Sequence, residues 1–326
     1  MWRRLAFLLV LLFFALFAIG CGSGTSTTPA ANPPSVGTGG GGGTGGGGGS
    51  TNPTIPQFSH VALVVLENSN YDDVVGSASA PYLNRLIANG SLATQYYADA
   101  HPSIPNYFLM TTGETETLDD SFSGTISDDN IVREFASSGK TWKSYAQSLP
   151  SPGYLGGNSG PYLRRHNPFT FFSDVQTDAT EQARIVPYSQ LPIDLSASSL
   201  PDFIYIVPDA QHDAHDCPGG GSTCDVSVRV NAADTWLSAN LPALLSDPSF
   251  STTGLLIITF DESRDDNTNG GGRVMTLLVG PHVKLGYTGP VAYEHRSLLS
   301  LICHALNVTT IPNGAASAAQ MTEFFQ

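Results

Sequence analysis

Four short, unbroken apolar runs rich in β-branched residues constrain the fold most: 61–66, 203–207, 255–260 and 275–279. A strand with one wet face alternates apolar and polar residues. These runs do not alternate, so both of their faces must be covered. That is the pattern of a parallel sheet between helical layers, and helical patterns lie between the runs. Residues 79–89 put Tyr82, Leu83, Leu86 and Ile87 on one side and stop at Gly90. Residues 130–138 stop at Gly139, 228–245 are interrupted at Pro242, and 295–306 carry one nearly continuous apolar face. Strands alternating with helices place the chain in the α/β class, with a doubly wound, mostly parallel sheet and helices on both faces.

The sequence ahead of residue 58 has a different character. Met1-Trp2-Arg3-Arg4 is a positive start, and the apolar stretch 5–19 is shorter than a comfortable membrane span. Ala18-Ile19-Gly20-Cys21 resembles the lipobox of exported bacterial lipoproteins. The resemblance implies lipidation at Cys21, and Gly22 after it implies outer-membrane sorting. Residues 22–57 hold no charge and two glycine runs, 39–43 and 45–49. Such a stretch buries too little surface to offset its ordering entropy and reads as a tether. The expected organisation is a lipoprotein signal peptide at 1–20, a flexible tether at 21–57 and a catalytic domain at 58–326. The protein is expected in a bacterial cell envelope, exported and anchored to a membrane through lipid.

Acidic residues outnumber basic ones, 28 against 14, for a net charge of −14. Arg3 and Arg4 are the only charged residues before residue 58. No nucleic acid partner is expected, because displacing counterions from phosphates needs a basic stripe. The four cysteines are too few for a disulfide scaffold. Cys217 and Cys224 flank a Pro/Gly-rich loop, and in an exported chain they are expected to form a disulfide. Cys303, on an apolar helix, reads as a buried free thiol. His60, His282 and His304 have no motif context and read as ordinary histidines.

Ligands of open α/β sheets sit beyond the carboxyl ends of the strands. Glu67 and Asn68 follow the first run, Asp261 and Glu262 the third, and Asp209, His212, Asp213, His215 and Asp216 the second. Carboxylates and imidazoles converging from three strand ends are metal-ligand chemistry. Ser103 reads as the N-cap of a helix with Pro105 in its first turn and Gly113 at its end. There its hydroxyl would lie beside unpaired N–H groups, where negative charge is favoured.

Five motifs now stand in order: Leu66-Glu67-Asn68-Ser69-Asn70-Tyr71-Asp72, His101-Pro102-Ser103-Ile104-Pro105-Asn106-Tyr107, Arg165-His166-Asn167-Pro168-Phe169, Asp213-Ala214-His215-Asp216 and Thr259-Phe260-Asp261-Glu262. Together they resemble the phosphoesterase family that unites bacterial acid phosphatases and phosphatidylcholine-type phospholipases C, within the alkaline-phosphatase superfamily. The resemblance implies an alkaline-phosphatase-like fold and a metal-dependent phosphoester hydrolase with a serine nucleophile and a phosphoserine intermediate. It implies one or more divalent metal ions held by Glu67, Asp261 and Glu262, with Ser103 at the metal as nucleophile. Asn68 would contact the metal or a phosphate oxygen. His166 and His215 would bind phosphate oxygens or protonate the leaving alcohol, His101 would orient Ser103 or its helix, and His295 matches a late histidine of the pattern. The domain has no room for the accessory domains of phospholipase C members, which favours a small phosphomonoester substrate. The alternatives are a phospholipase C or phosphodiesterase and, in another class, a surface-tethered binding protein without turnover. A G-x-S-x-G elbow does not occur, which removes the serine-hydrolase triad.

Overall fold

The computed structural model describes residues 54–326 apart from Ser222. The signal peptide, Cys21 and the glycine tether as far as residue 53 lie outside the described residues. Ile55 packs against the core and the Gln57 side-chain amide donates to the His304 carbonyl at 3.0 Å, so the docked chain begins ahead of residue 58.

Nine strands form one mixed, mostly parallel sheet: β1 (His60–Leu66), β2 (Ser91–Ala98), β3 (Trp142–Ala146), β4 (Ile185–Pro187), β5 (Phe203–Val207), β6 (Gly254–Phe260), β7 (Gly272–Arg273), β8 (Thr276–Val279) and β9 (Tyr287–Tyr293). Their order is β4-β3-β5-β1-β6-β8-β2-β7, with β9 paired parallel to β2. β1 lies between β5 and β6 and is parallel to both. Every residue from Val61 to Leu66 is buried, as covering both faces requires. The sheet is mostly parallel, as expected, with one apolar run turned the other way. The run at 275–279 becomes β8, which is antiparallel to β6 and to β2. Full burial makes a strand apolar whichever way it runs, so composition could not give its direction.

The helices follow the punctuation in the sequence. Pro81–Ala88 opens with its proline at the first turn. Asn130 caps Ile131–Ser137 by accepting from the N–H groups of Val132 and Arg133. Val226–Asn240 ends before Pro242, and a separate turn of helix, Pro242–Ser246, follows. Gly113 ends Ser103–Thr112 in the left-handed region at φ 79°, where a Cβ would come within 2.9 Å of the Pro312 carbonyl. Helix His295–Ala305 packs on Ser103–Thr112, with nine of its eleven residues buried, and this pair positions the site.

Candidate active site

The register of the central strands places the acids. Leu66 pairs with Phe260, so the next residues, Glu67 and Asp261, leave adjacent strands side by side. The Asp261 N–H donates to the Leu66 carbonyl at 2.9 Å, and the Glu67 N–H to the Asp213 carbonyl at 2.7 Å. Three strand ends thus bring Glu67, Asp261, Glu262 and Asp213 to one buried edge. Asn68 turns there at φ 42°. Its N–H donates to Asp261 Oδ1 and its side-chain amide to Glu262 Oε1, both at 3.2 Å.

Ser103 meets this edge from the helix. Its Oγ lies 3.0 Å from Glu262 Oε1, 3.2 Å from Glu67 Oε2 and 3.4 Å from Asn68 Oδ1. One hydroxyl proton faces three acceptors and can satisfy only one at a time. Ser103 is the first helical residue rather than the N-cap, a position taken by Pro102. The Ile104 N–H beside it is not unpaired either, since Asp120 Oδ1 accepts it at 3.2 Å. Ser103 is held by carboxylates and an amide oxygen, not by free helix amides.

The four histidines of the site sit in four environments. His166 is buried, with Nε2 3.0 Å from Glu67 Oε1 and Nδ1 3.2 Å from Asp213 Oδ2. Burial works to lower its pKa, but the charges of Glu67 and Asp213 prevail and hold it up at about 9. Burial likewise opposes ionisation of Glu67, yet His166 holds that carboxyl well below the usual range. His215 is half-buried on the loop after β5, its Nδ1 2.8 Å from Asp216 Oδ1 and its Nε2 without a partner among the described residues. His295 is fully buried, and burial lowers its pKa to about 4. It is therefore neutral, with Nε2–H donating to the Asp261 carbonyl at 2.6 Å and Nδ1 accepting from the Tyr96 hydroxyl at 3.1 Å. Both nitrogens are engaged in fixing the strand end that carries Asp261. His101 holds Glu262 through Nδ1 and the Asp266 carbonyl, at 3.1 Å, through Nε2.

Two residues at the site had been given no role in it. Tyr107 donates its hydroxyl to Glu67 Oε1 at 2.6 Å and stacks on His166. It lies one helical turn after Ser103, on the same face, and that spacing was the available signal. Asp213 was among the acids expected at the second strand end, but turn acids are common and nothing local marked it as the buried partner of His166.

Cys217 and Cys224 form the expected disulfide, with Cα atoms 5.9 Å apart, close beyond His215. Cys303 is the expected buried free thiol. His60 bonds the Pro201 carbonyl at 2.8 Å, His282 packs edge-on to Phe58, and His304 contacts Gln320, away from the strand-end acids.

No three His, Cys, Asp or Glu side chains among the described residues are spaced as a ready metal cage. The chemistry of the donors nevertheless fits a cation. Asp261 Oδ2 is buried without a hydrogen-bond partner. Burial, then repulsion from Glu67 and Glu262, pushes Asp261 well above the usual carboxylate range. Burial and Glu67 push Glu262 up to about 6. Crowded, unpaired carboxylate oxygens are costly unless a positive charge meets them. Glu67, Asp261, Glu262 and the Asn68 amide oxygen form a hard-oxygen set suited to a divalent ion.

Solved structures share this architecture. An alkaline phosphatase superfamily protein from Vibrio parahaemolyticus matches with a TM-score of 0.57 at 14% identity, over 81% of this chain and 72% of that one. Murine ectonucleotide pyrophosphatase/phosphodiesterase 5 matches at 0.55 and 12%, over 82% and 100%. The fold is thus one shared with solved proteins of these kinds. The sequence profile of the phosphoesterase family matches residues 77–309, and the chain belongs to that family of hydrolases acting on phosphoric ester bonds. It is 32% identical over 252 residues to a phosphatidylinositol-3-phosphatase of Mycobacterium tuberculosis, covering 76% of this chain and 77% of that protein. It is 31% identical over 254 residues to a phosphate-repressible acid phosphatase of Penicillium chrysogenum, covering 74% and 58%. The chain thus spans little more than half the length of that fungal relative.

Proposed function

We propose that the chain is a metal-dependent phosphomonoesterase of the acid-phosphatase kind, with Ser103 as nucleophile and a phosphoserine intermediate. The observation that carries this reading is the Ser103 hydroxyl, buried within 3.0–3.4 Å of Glu262, Glu67 and Asn68 oxygens. A capping serine has no use for two carboxylates, whereas a nucleophile needs an acceptor for its proton. A divalent ion on Glu67, Asp261 and Glu262, when bound, would supply charge neutralisation for the phosphoryl group and favour an ionised serine.

Ser103 Oγ forms the bond to phosphorus as the ester oxygen leaves. His215, with Nε2 available and Asp216 on Nδ1, gives that oxygen its proton. Water then releases inorganic phosphate from Ser103 and restores the proton. Asn68 holds a phosphoryl oxygen, and His166, with both ring nitrogens on Glu67 and Asp213, holds Glu67 in place. The names of the mycobacterial and fungal relatives, both phosphatases, support a monoester over a diester. The substrate is then a small phosphorylated alcohol, and the protein works in a bacterial envelope, anchored at Cys21.

Purified protein is assayed with p-nitrophenyl phosphate and bis(p-nitrophenyl) phosphate, before and after chelation and with divalent ions restored. Monoester turnover that disappears with chelator and returns with metal is expected. Turnover untouched by exhaustive chelation ends the metal reading, and faster diester turnover ends the phosphomonoesterase reading.

A further inference from the structure

Arg165 is anomalous among the arginines of the described residues. Every other arginine that is not exposed donates at least one side-chain hydrogen bond. Arg165 has only 18% of its side chain exposed and donates none; its Nε is buried without a hydrogen-bond partner. Its one ion-pair contact is Nε to Asp120 Oδ2 at 3.3 Å. A guanidinium with so few protein partners keeps donors for a ligand, and its planar fork fits phosphate oxygens.

Its position ties it to the reaction. Arg165 precedes His166, which contacts Glu67, and Asp120 also accepts the N–H of Ile104, the residue after Ser103. One carboxylate therefore spans Arg165 and the start of the Ser103 helix. Arg165 makes no ion pair with Glu67 or Asp261, yet its charge helps lower the Glu67 pKa. It stands a step outward from the carboxylate edge, with 18% of its side chain exposed where Glu67 is fully buried.

That step is a cleft. A cavity of about 200 Å³ is lined by Asp120, Ser121, Phe122, Asn158, Arg164 and Arg165 among others. Arg164 is already committed there, donating to Thr170 Oγ1 and carbonyl at 3.2 and 3.0 Å and stacked 4.0 Å over Phe171. Arg165 is the cation left to a ligand.

We propose that this cleft is the leaving-group subsite and that Arg165 selects phosphomonoesters whose alcohol part carries a second phosphate. The inference rests on the phosphomonoesterase reading above. Asp120 holds the guanidinium by its Nε edge and leaves the two Nη groups for the second anion.

The test compares initial rates on propane-1,3-diol bisphosphate and on 3-hydroxypropyl phosphate at fixed ionic strength. Wild-type protein is expected to favour the bisphosphate in kcat/KM by about tenfold or more, the range of a charge-assisted hydrogen bond. Arg165→Gln should bring that ratio near the statistical value of about two, and Arg165→Lys, which keeps charge without the fork, should lie between. If Arg165→Gln does not fold, the wild-type and Arg165→Lys ratios still decide. No wild-type preference, or an equal fall on both esters, overturns the subsite. Failure of wild type on p-nitrophenyl phosphate would instead sink the phosphomonoesterase reading.

Discussion

The Tyr107 hydroxyl donates to Glu67 Oε1 at 2.6 Å, tying the Ser103 helix to the end of β1. Burial and then the Glu67 charge push the Tyr107 pKa well above its usual value, so the phenol remains a donor at any working pH. The same ring stacks on His166, centroids 5.4 Å apart. Glu67 is thus fixed from two sides, while its Oε2 faces Ser103.

Tyr107→Phe keeps the stacking and removes only the donor. Loss of a hydrogen bond to a charged group is expected to cost about 1.5–3 kcal/mol of stability. Turnover should fall as well, because Glu67 can rotate away from Ser103. Denaturant melts and kcat check this, and a variant equal to wild type in both would show the bond to be idle.

The two buried histidines give stability a two-sided pH dependence. His295 titrates at about 4 in the fold against roughly 6.5 when unfolded. The unfolded chain takes up that proton first, so stability is lost as pH falls from 6.5 towards 4, by about 3 kcal/mol at the limit. His166, raised to about 9, acts in the opposite sense: its contribution is complete below about 6.5 and is lost as pH rises through 9. His295→Asn should flatten the acid limb of stability against pH and leave the alkaline limb alone. Equal acid slopes for variant and wild type would refute the assignment.

The disulfide closes a short loop, seven residues in separation, so the loop model allows about 2–3 kcal/mol. Its place matters more than its size. His215 lies two residues before Cys217, and Arg229 grips the His215 carbonyl at 2.9 Å. Cys217→Ser with Cys224→Ser should lower kcat several-fold with a modest loss of melting temperature. Unchanged kcat would separate the loop from catalysis.

How far the sequence reveals such a site depends on what fixes each residue. Glu67, Asp261 and Glu262 were legible because each follows a continuous apolar run, and parallel pairing brings such ends to one edge. The core strands β1, β5 and β6 were legible for the same reason. β2 and β9 were not: Ser91, Thr94 and Gln95 break the apolar pattern of one, and Gly289 and Pro290 that of the other. Both are held by pairing with each other, a tertiary fact without a local signature. The error at Ser103 was one position, yet it changed which groups surround the hydroxyl. Helix capping rules could not foresee that Asp120, far along the chain, supplies the cap.

Cys21→Ala tests the expectation made for the leader. The protein should move from the membrane fraction to the soluble one with unchanged specific activity, since the site is built wholly from residues after 58. A variant still bound to the membrane would reject lipid anchoring at this residue.

The nucleophile and the cation are separable by mutation. Ser103→Ala leaves the carboxylates, Asn68 and His166 in place, so metal and phosphate binding should persist while kcat falls on the order of a thousandfold or more. Asp261→Asn removes a charge from the most crowded point of the edge, where Asp261 Oδ2 has no hydrogen-bond partner. The metal-free fold should then become more stable, because repulsion from Glu67 and Glu262 is relieved, while metal affinity and turnover are lost together. Chelation of wild type should reproduce the Asp261→Asn loss of activity but not the retained metal of Ser103→Ala. Metal content by elemental analysis, beside turnover for each variant, distinguishes these outcomes. Near wild-type hydrolysis by Ser103→Ala with metal still bound would remove Ser103 from the chemistry and leave water as the attacking oxygen.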